Sequence, residues 1–151
     1  MLSDYMSFEE ATRSQTATRY GIINLPSEVQ LANMVFVANE VFDPVREFCG
    51  APLTCSSFLR VPELNTKIGS TMTSFHVHGA AIDLKKLTTK VSYAEIFYFI
   101  ERELMFSELI WEYGTDSEPA WVHVAYLEGD ERRMVKRAIR ENGKNRIIRL
   151  R

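Results

Sequence analysis

The chain has 151 residues, about one average domain and long enough to bury a hydrophobic core without disulfide or metal staples. Hydrophobic residues make up 46% and charged residues 25%, the balance of an ordinary globular protein, which excludes a largely disordered chain. The formal net charge of −2 carries no information about partners.

The N-terminal stretch MLSDYMSFEEATRSQ lacks a basic start followed by an apolar run, so no signal peptide is expected. No segment approaches the ~20 apolar residues of a membrane span. Ser7 followed by Phe8, Glu9 and Glu10 predicts a short helix to about Arg13, because a serine oxygen can cap a free N–H while acidic groups complement the positive helix end. Gly21, Asn24 and Pro26 punctuate residues 14–26 and predict an ordered loop. Ser27 and Glu28 then open a long helix, in which Leu31, Met34, Val35, Val37, Ala38, Val41, Phe42 and Val45 recur at three and four residues. It runs to about Phe48, with Pro44 expected to end or kink it.

Gly50 and Pro52 separate that helix from Leu53–Leu59, a β-prone run followed by a polar loop to Thr73. Cys49 and Cys55 are too few for a stapled secreted scaffold and too widely spaced for a Cys-x-x-Cys motif, so both are read as small core or loop residues. Phe75–Leu84 reads as a strand. Ser92-Tyr-Ala-Glu95 is a capping box, opening a helix with Ile96, Phe97, Phe99, Ile100 and Leu104 on its apolar face. Leu109–Glu112 and Trp121–Tyr126 read as strands joined by a polar turn into a hairpin. Asn142-Gly143 predicts a second hairpin, pairing Met134–Arg140 with Asn145–Leu150, with a short helix over Met134–Ile139 as the alternative. The expected fold class is α+β in a single domain, 1–151: N-terminal helices packed on a small antiparallel sheet that carries the polar constellation.

All three histidines lie in or beside predicted strands: His76 and His78 in the run ending at Asp83, and His123 between Val122 and Val124. Zinc accepts neutral imidazole nitrogen and carboxylate oxygen, and a catalytic zinc keeps three protein ligands with one position open. His76, Asp83 and His123 could fill that role, although a histidine on an apolar strand is more often a hydrogen-bonded core residue. On a regular strand His76 and His78 would face the same way.

Ser74-x-His76-x-x-Gly79-x-Ala81-x-Asp83, followed about forty residues later by Trp121-x-His123, resembles the signature of the zinc D-Ala-D-Ala carboxypeptidase family, whose fold is shared with the Hedgehog signalling domain. Ser7–Thr18, Asp43-Pro-Val-Arg46 and Ser56-Ser-Phe-Leu-Arg60 with Asn65 look like further landmarks of its compact phage and bacterial, endolysin-like members. The resemblance implies that His76, Asp83 and His123 bind zinc, and that Gly79 and Ala81 are small because bulkier side chains would crowd the strand beside the metal. His78 has the wrong offset from Asp83 and is expected at the pocket rim or as a support behind the ligands, with a ligand role in place of His76 as the alternative.

Many members place the catalytic glutamate three residues before the last histidine, or a histidine two before it; here those positions hold Ala120 and Trp121. In the Hedgehog-like branch the glutamate ends the preceding strand, which implies Glu112 as general base, with Glu118 on the turn as second choice. The alternative for Glu112 is a solvated hairpin charge or a partner for an arginine. Arg60 is expected to reach into the cleft and hold a substrate carboxylate or the oxyanion, or else to make a structural salt bridge. Ser74 would orient its strand or touch substrate, and Trp121 would pack beneath the site.

The implied activity is that of a monomeric zinc metallopeptidase cleaving amide bonds in peptidoglycan stem peptides or cross-bridges, reaching the cell wall after release by a holin or at lysis. The alternative is a zinc-retaining but inactive cell-wall or partner-binding module. Nine of the 18 lysines and arginines lie between Arg132 and Arg151, but without aromatic interleaving they make a weak case for nucleic acid.

Overall fold

The computed structural model describes residues 1–151. Ser7 caps α1 (Phe8–Thr12) through a reciprocal capping box with Glu10, and Ser27 does the same with Gln30 for α3 (Glu28–Val37). Residues 14–26, expected as loop, contain a further helix: Ser14 caps α2 (Gln15–Tyr20) and Gly21, at φ 65°, ends it. Six residues with one buried side chain, Ala17, are too few for a periodicity to register.

α3 passes through a π-helical turn, Ala38–Phe42, into α4 (Asp43–Cys49), so the apolar stripe covers the expected length. Pro44 does not end it. Pro44 sits in the first turn of α4, directly after the widened turn, where a locally altered hydrogen-bond ladder tolerates its missing N–H.

β1 (Leu53–Ser57) is followed by α5 (Pro62–Ile68), which occupies much of the expected polar loop. Pro62 at its start and Gly69 at its end, φ 88°, are the residues that bound a short helix, and Leu64 and Asn65 are its buried anchors. The expected strand Phe75–Leu84 is divided. Phe75–His78 forms a single 3-10 turn, capped by Ser74 and closed by Gly79 at φ 69°, and β2 (Ala81–Lys86) begins only after it.

α6 (Tyr93–Glu103) starts at the Ser92–Glu95 capping box as expected. β3 (Glu108–Glu112) and β4 (Trp121–Ala125) form the first hairpin, and Asn142 and Gly143, both at positive φ, turn β5 (Met134–Glu141) into β6 (Lys144–Arg149). The strand reading of Met134–Ile139 is thus the correct one. The sheet order is β1-β2-β4-β3-β5-β6, and all pairs are antiparallel except β3 with β5.

Strand alternation divides the sheet into two faces. Ile82, Leu84, Leu109, Trp111, Val122, Val124 and Val135 join the core with Met34, Val41, Phe42, Phe97 and Ile100 of the helices. Asp83, His123, Glu108, Glu112 and Lys136 come from the intervening positions and line an open cleft on the other face. No helix is long and apolar enough to cross a membrane.

Candidate metal centre

His76 is clamped by the segment after β1. Its Nδ1 lies 2.7 Å from the Phe58 carbonyl oxygen, and its own carbonyl accepts from Arg60 N at 3.1 Å. A carbonyl can only accept, so Nδ1 carries the ring proton and the lone pair is on Nε2, 3.3 Å from Asp83 Oδ1. The placement on a 3-10 turn separates the two neighbouring histidines: His76 is buried, whereas His78 is exposed and contributes its carbonyl to Asn33, away from the cleft. His78 is therefore not a rim residue, because the strand geometry assumed for it is absent.

His123 sits directly opposite Asp83 in the β2–β4 register. Its Nδ1 is 3.0 Å from Asp83 Oδ1 and its Nε2 is 2.9 Å from Glu108 Oε1. With the Nε2 proton donated to Glu108, three acceptors converge: His76 Nε2, His123 Nδ1 and Asp83. Ligand atoms of these three buried residues lie within 4.8 Å of one another. Lone pairs facing each other at this distance require a cation between them, either a second proton on His123 or a metal ion.

The electrostatics of the metal-free site show that demand. Burial pushes His76 down and keeps it neutral. Burial also opposes charge on His123, but its hydrogen bonds to Asp83 and Glu108 prevail and raise it to about 10. Asp83 is held well below the usual carboxylate range by the two histidines, against the effect of burial. Two imidazoles and a carboxylate, open on one side to a cleft of about 740 Å³, fit a catalytic zinc.

β3 presents a carboxylate on either side of His123. Ile110 is its cross-strand partner, so Glu108 and Glu112 occupy the two diagonal positions of the same face. Their surroundings differ. Glu108 is half-buried, which opposes its charge, but hydrogen bonds from His123 and from Lys136 Nζ at 2.6 Å hold it ionised, down to about 2. Glu112 has no such partner, and burial, with only partial relief from His123, raises it to about 7.

Arg60 lines the same cleft, with Nη2 3.4 Å from Asp83 Oδ2 and Nε 3.0 Å from Ser57 Oγ. Glu118 does not line it: its carboxylate accepts from Tyr93 N at 3.0 Å and Ala94 N at 2.9 Å, across the first turn of α6. Trp121, expected beneath the site, instead stands half-buried in the cleft wall beside Tyr113. Ser74 Oγ accepts from His76 N at 3.3 Å and so holds the turn that carries it.

The sequence profile of the Peptidase M15 family matches residues 4–125. The chain belongs to the Peptidase M15 family. The M15 match runs from α1 to the end of β4 and contains His76, Asp83, His123, Arg60, Glu108 and Glu112. It agrees with the resemblance to the zinc D-Ala-D-Ala carboxypeptidases carried by the histidine and aspartate spacing. Comparison with curated proteins finds no match. β5 and β6 lie beyond the M15 segment, yet Lys136, Asn145 and Ile147 form part of the cleft wall.

Glu108 and Lys136 are the site residues that sequence reasoning missed. Glu108 had a findable signal, since it stands four residues before Glu112 and therefore on the same strand face. Lys136 had none, because a parallel neighbour leaves no local trace.

Proposed function

We propose that this protein is a zinc peptidase hydrolysing amide bonds in the stem peptides or cross-bridges of peptidoglycan, with His76 Nε2, Asp83 and His123 Nδ1 as metal ligands and Glu112 as general base. The observation that carries this reading is the contrast between two carboxylates flanking one histidine. Glu108, paired on both sides and held at about 2, has no proton to exchange at neutral pH. Glu112, unpaired in the cleft and raised to about 7, can take a proton from an attacking water and return it to the leaving amine.

When bound, zinc supplies Lewis-acid polarisation of the scissile carbonyl and lowers the pKa of water toward ~7. Arg60 offers a planar guanidinium, braced by Ser57, to a substrate carboxylate or to the developing oxyanion. Glu118 has no part in the reaction on this reading. The family resemblance supports a substrate containing D-residues, and delivery to the wall by a holin or at lysis of the producing cell.

Elemental analysis of the purified protein, combined with mass spectrometry of digested peptidoglycan, tests the proposal. One zinc per chain is expected, with peptide-bond cleavage by the wild type and Glu118→Ala but not by Glu112→Ala. Folded protein that refuses zinc would sink the ligand assignment. Stoichiometric zinc without amine release, where an active control releases amine, would leave a zinc-retaining binding module.

A further inference from the structure

The C-terminal hairpin reaches the metal centre through one chain of contacts. Lys136 Nζ on β5 lies 2.6 Å from Glu108 Oε2, and Glu108 Oε1 lies 2.9 Å from His123 Nε2, whose other ring nitrogen faces Asp83. The three side chains are 22%, 12% and 7% exposed. They are too sheltered for the near-zero value of a surface ion pair to apply. Lys136 is opposite Ile110 in the parallel β3–β5 register, and β6 pairs with β5 from Lys136 to Glu141.

An imidazole can carry its single proton on either nitrogen and can turn about its bond to Cβ. Glu108 removes both freedoms by accepting the Nε2 proton, which leaves Nδ1 as the lone-pair donor. Glu108 itself has two oxygens, and with only His123 to hold it, its second oxygen would be free to swing toward solvent. Lys136 occupies that oxygen. Lys136 lies on β5, outside the segment the Peptidase M15 profile matches, whereas Glu108 lies within it.

We propose that Glu108 and Lys136 are positioning residues that fix the His123 ring for metal binding, and that the β5–β6 hairpin is thereby a working part of the metal centre. This rests on His123 being a ligand, as proposed above. Neither residue touches substrate on this reading.

The test is zinc affinity of the metal-free protein, by competition with a chromophoric chelator, for wild type, Glu108→Ala, Lys136→Met and Lys136→Arg. Visible spectra of the cobalt-substituted proteins report the coordination geometry. Glu108→Ala and Lys136→Met should weaken zinc binding about tenfold to hundredfold and shift the cobalt bands, whereas Lys136→Arg, which retains the cation, should restore both. Circular dichroism of the metal-free variants establishes that each is folded; if Glu108→Ala is not, Lys136→Met against Lys136→Arg decides alone. Zinc affinities of folded Glu108→Ala and Lys136→Met within about twofold of a wild type that binds one zinc would overturn the positioning role and leave the ligands standing. A wild type that binds no zinc overturns the ligand reading, and this proposal with it.

Discussion

Gly79 is pressed against the backbone of Gln30: a Cβ at position 79 would lie 2.8 Å from the Gln30 carbonyl oxygen and 2.9 Å from Met34 Cγ, on a backbone at φ 69°. α3 also grips the same turn through Gln30 Nε2 to Val77 O at 2.8 Å and Asn33 Nδ2 to His78 O at 2.9 Å. The small residue in the histidine-aspartate motif is thus demanded by a helix behind the turn, not by crowding at the metal. Ala81 is fully buried opposite Ala125 of β4, two residues from Asp83 and on the same strand face. Gly79→Ala should cost at least about 2 kcal/mol, from the left-handed backbone and the overlap together. Urea unfolding measures the loss, and an unchanged midpoint would mean that α3 and the turn can separate freely.

Glu112→Gln should retain zinc and lose about 10²- to 10⁴-fold in kcat, the range for removal of a general base. In the wild type the acidic limb of kcat/KM should reflect ionisation of Glu112 and lie at or below the value of about 7 that burial sets without a metal, because a bound cation favours the carboxylate. A carboxyl raised in the folded state from 4.5 to about 7 favours folding below pH 4.5, and that contribution disappears as pH rises through about 7. Metal-free wild type should therefore lose more thermal stability over this window than metal-free Glu112→Gln, and parallel melting curves would count against the raised value.

Glu118→Ala should behave as a helix-cap variant. Loss of the carboxylate from the N–H groups of Tyr93 and Ala94 should reduce stability by about 0.5–2 kcal/mol while kcat and zinc content stay at wild-type levels. A kcat loss comparable to that of Glu112→Gln would return Glu118 to the reaction.

If Arg60 holds substrate as proposed, Arg60→Ala should lower kcat/KM by about 10²- to 10³-fold, and Arg60→Lys should recover little, since a point charge cannot reproduce the forked donors that already reach Ser57 and Asp83. Steady-state kinetics on a defined muropeptide reads this directly. Full activity in Arg60→Lys would mean that charge alone suffices.

Removal of metal by a chelator should abolish cleavage and lower the thermal midpoint, with recovery on adding zinc. At zinc a hundredfold above its dissociation constant, the stabilisation should be about 2.7 kcal/mol. Calorimetry with and without chelator supplies the comparison.

Local chemistry left clear marks in the sequence. Ser7, Ser27 and Ser92 each start a helix where a capping serine and an acidic neighbour announce one, and Asn142-Gly143 makes the hairpin it signals. The donors His76, Asp83 and His123 were legible through spacing shared with a family, and they converge. α2 and α5 were not legible, because helices of six and seven residues are held by caps and a few buried anchors rather than by an apolar stripe. The 3-10 turn at Phe75–His78 was hidden by strand-like composition, and it alone decides that His76 enters the site while His78 faces solvent.

The remaining decisions depend on contacts between segments distant in the chain. Glu108 and Glu112 are the same residue type on the same strand face, four positions apart, and nothing local tells them apart. Their surroundings diverge because β5 runs parallel beside β3 and brings Lys136 to Glu108, while Glu112 is half-buried without a partner. Residue types and spacing can supply the donors and the candidate bases. Which carboxylate keeps its proton near neutrality is set by desolvation and by charges across the sheet, and these exist only once the chain has folded.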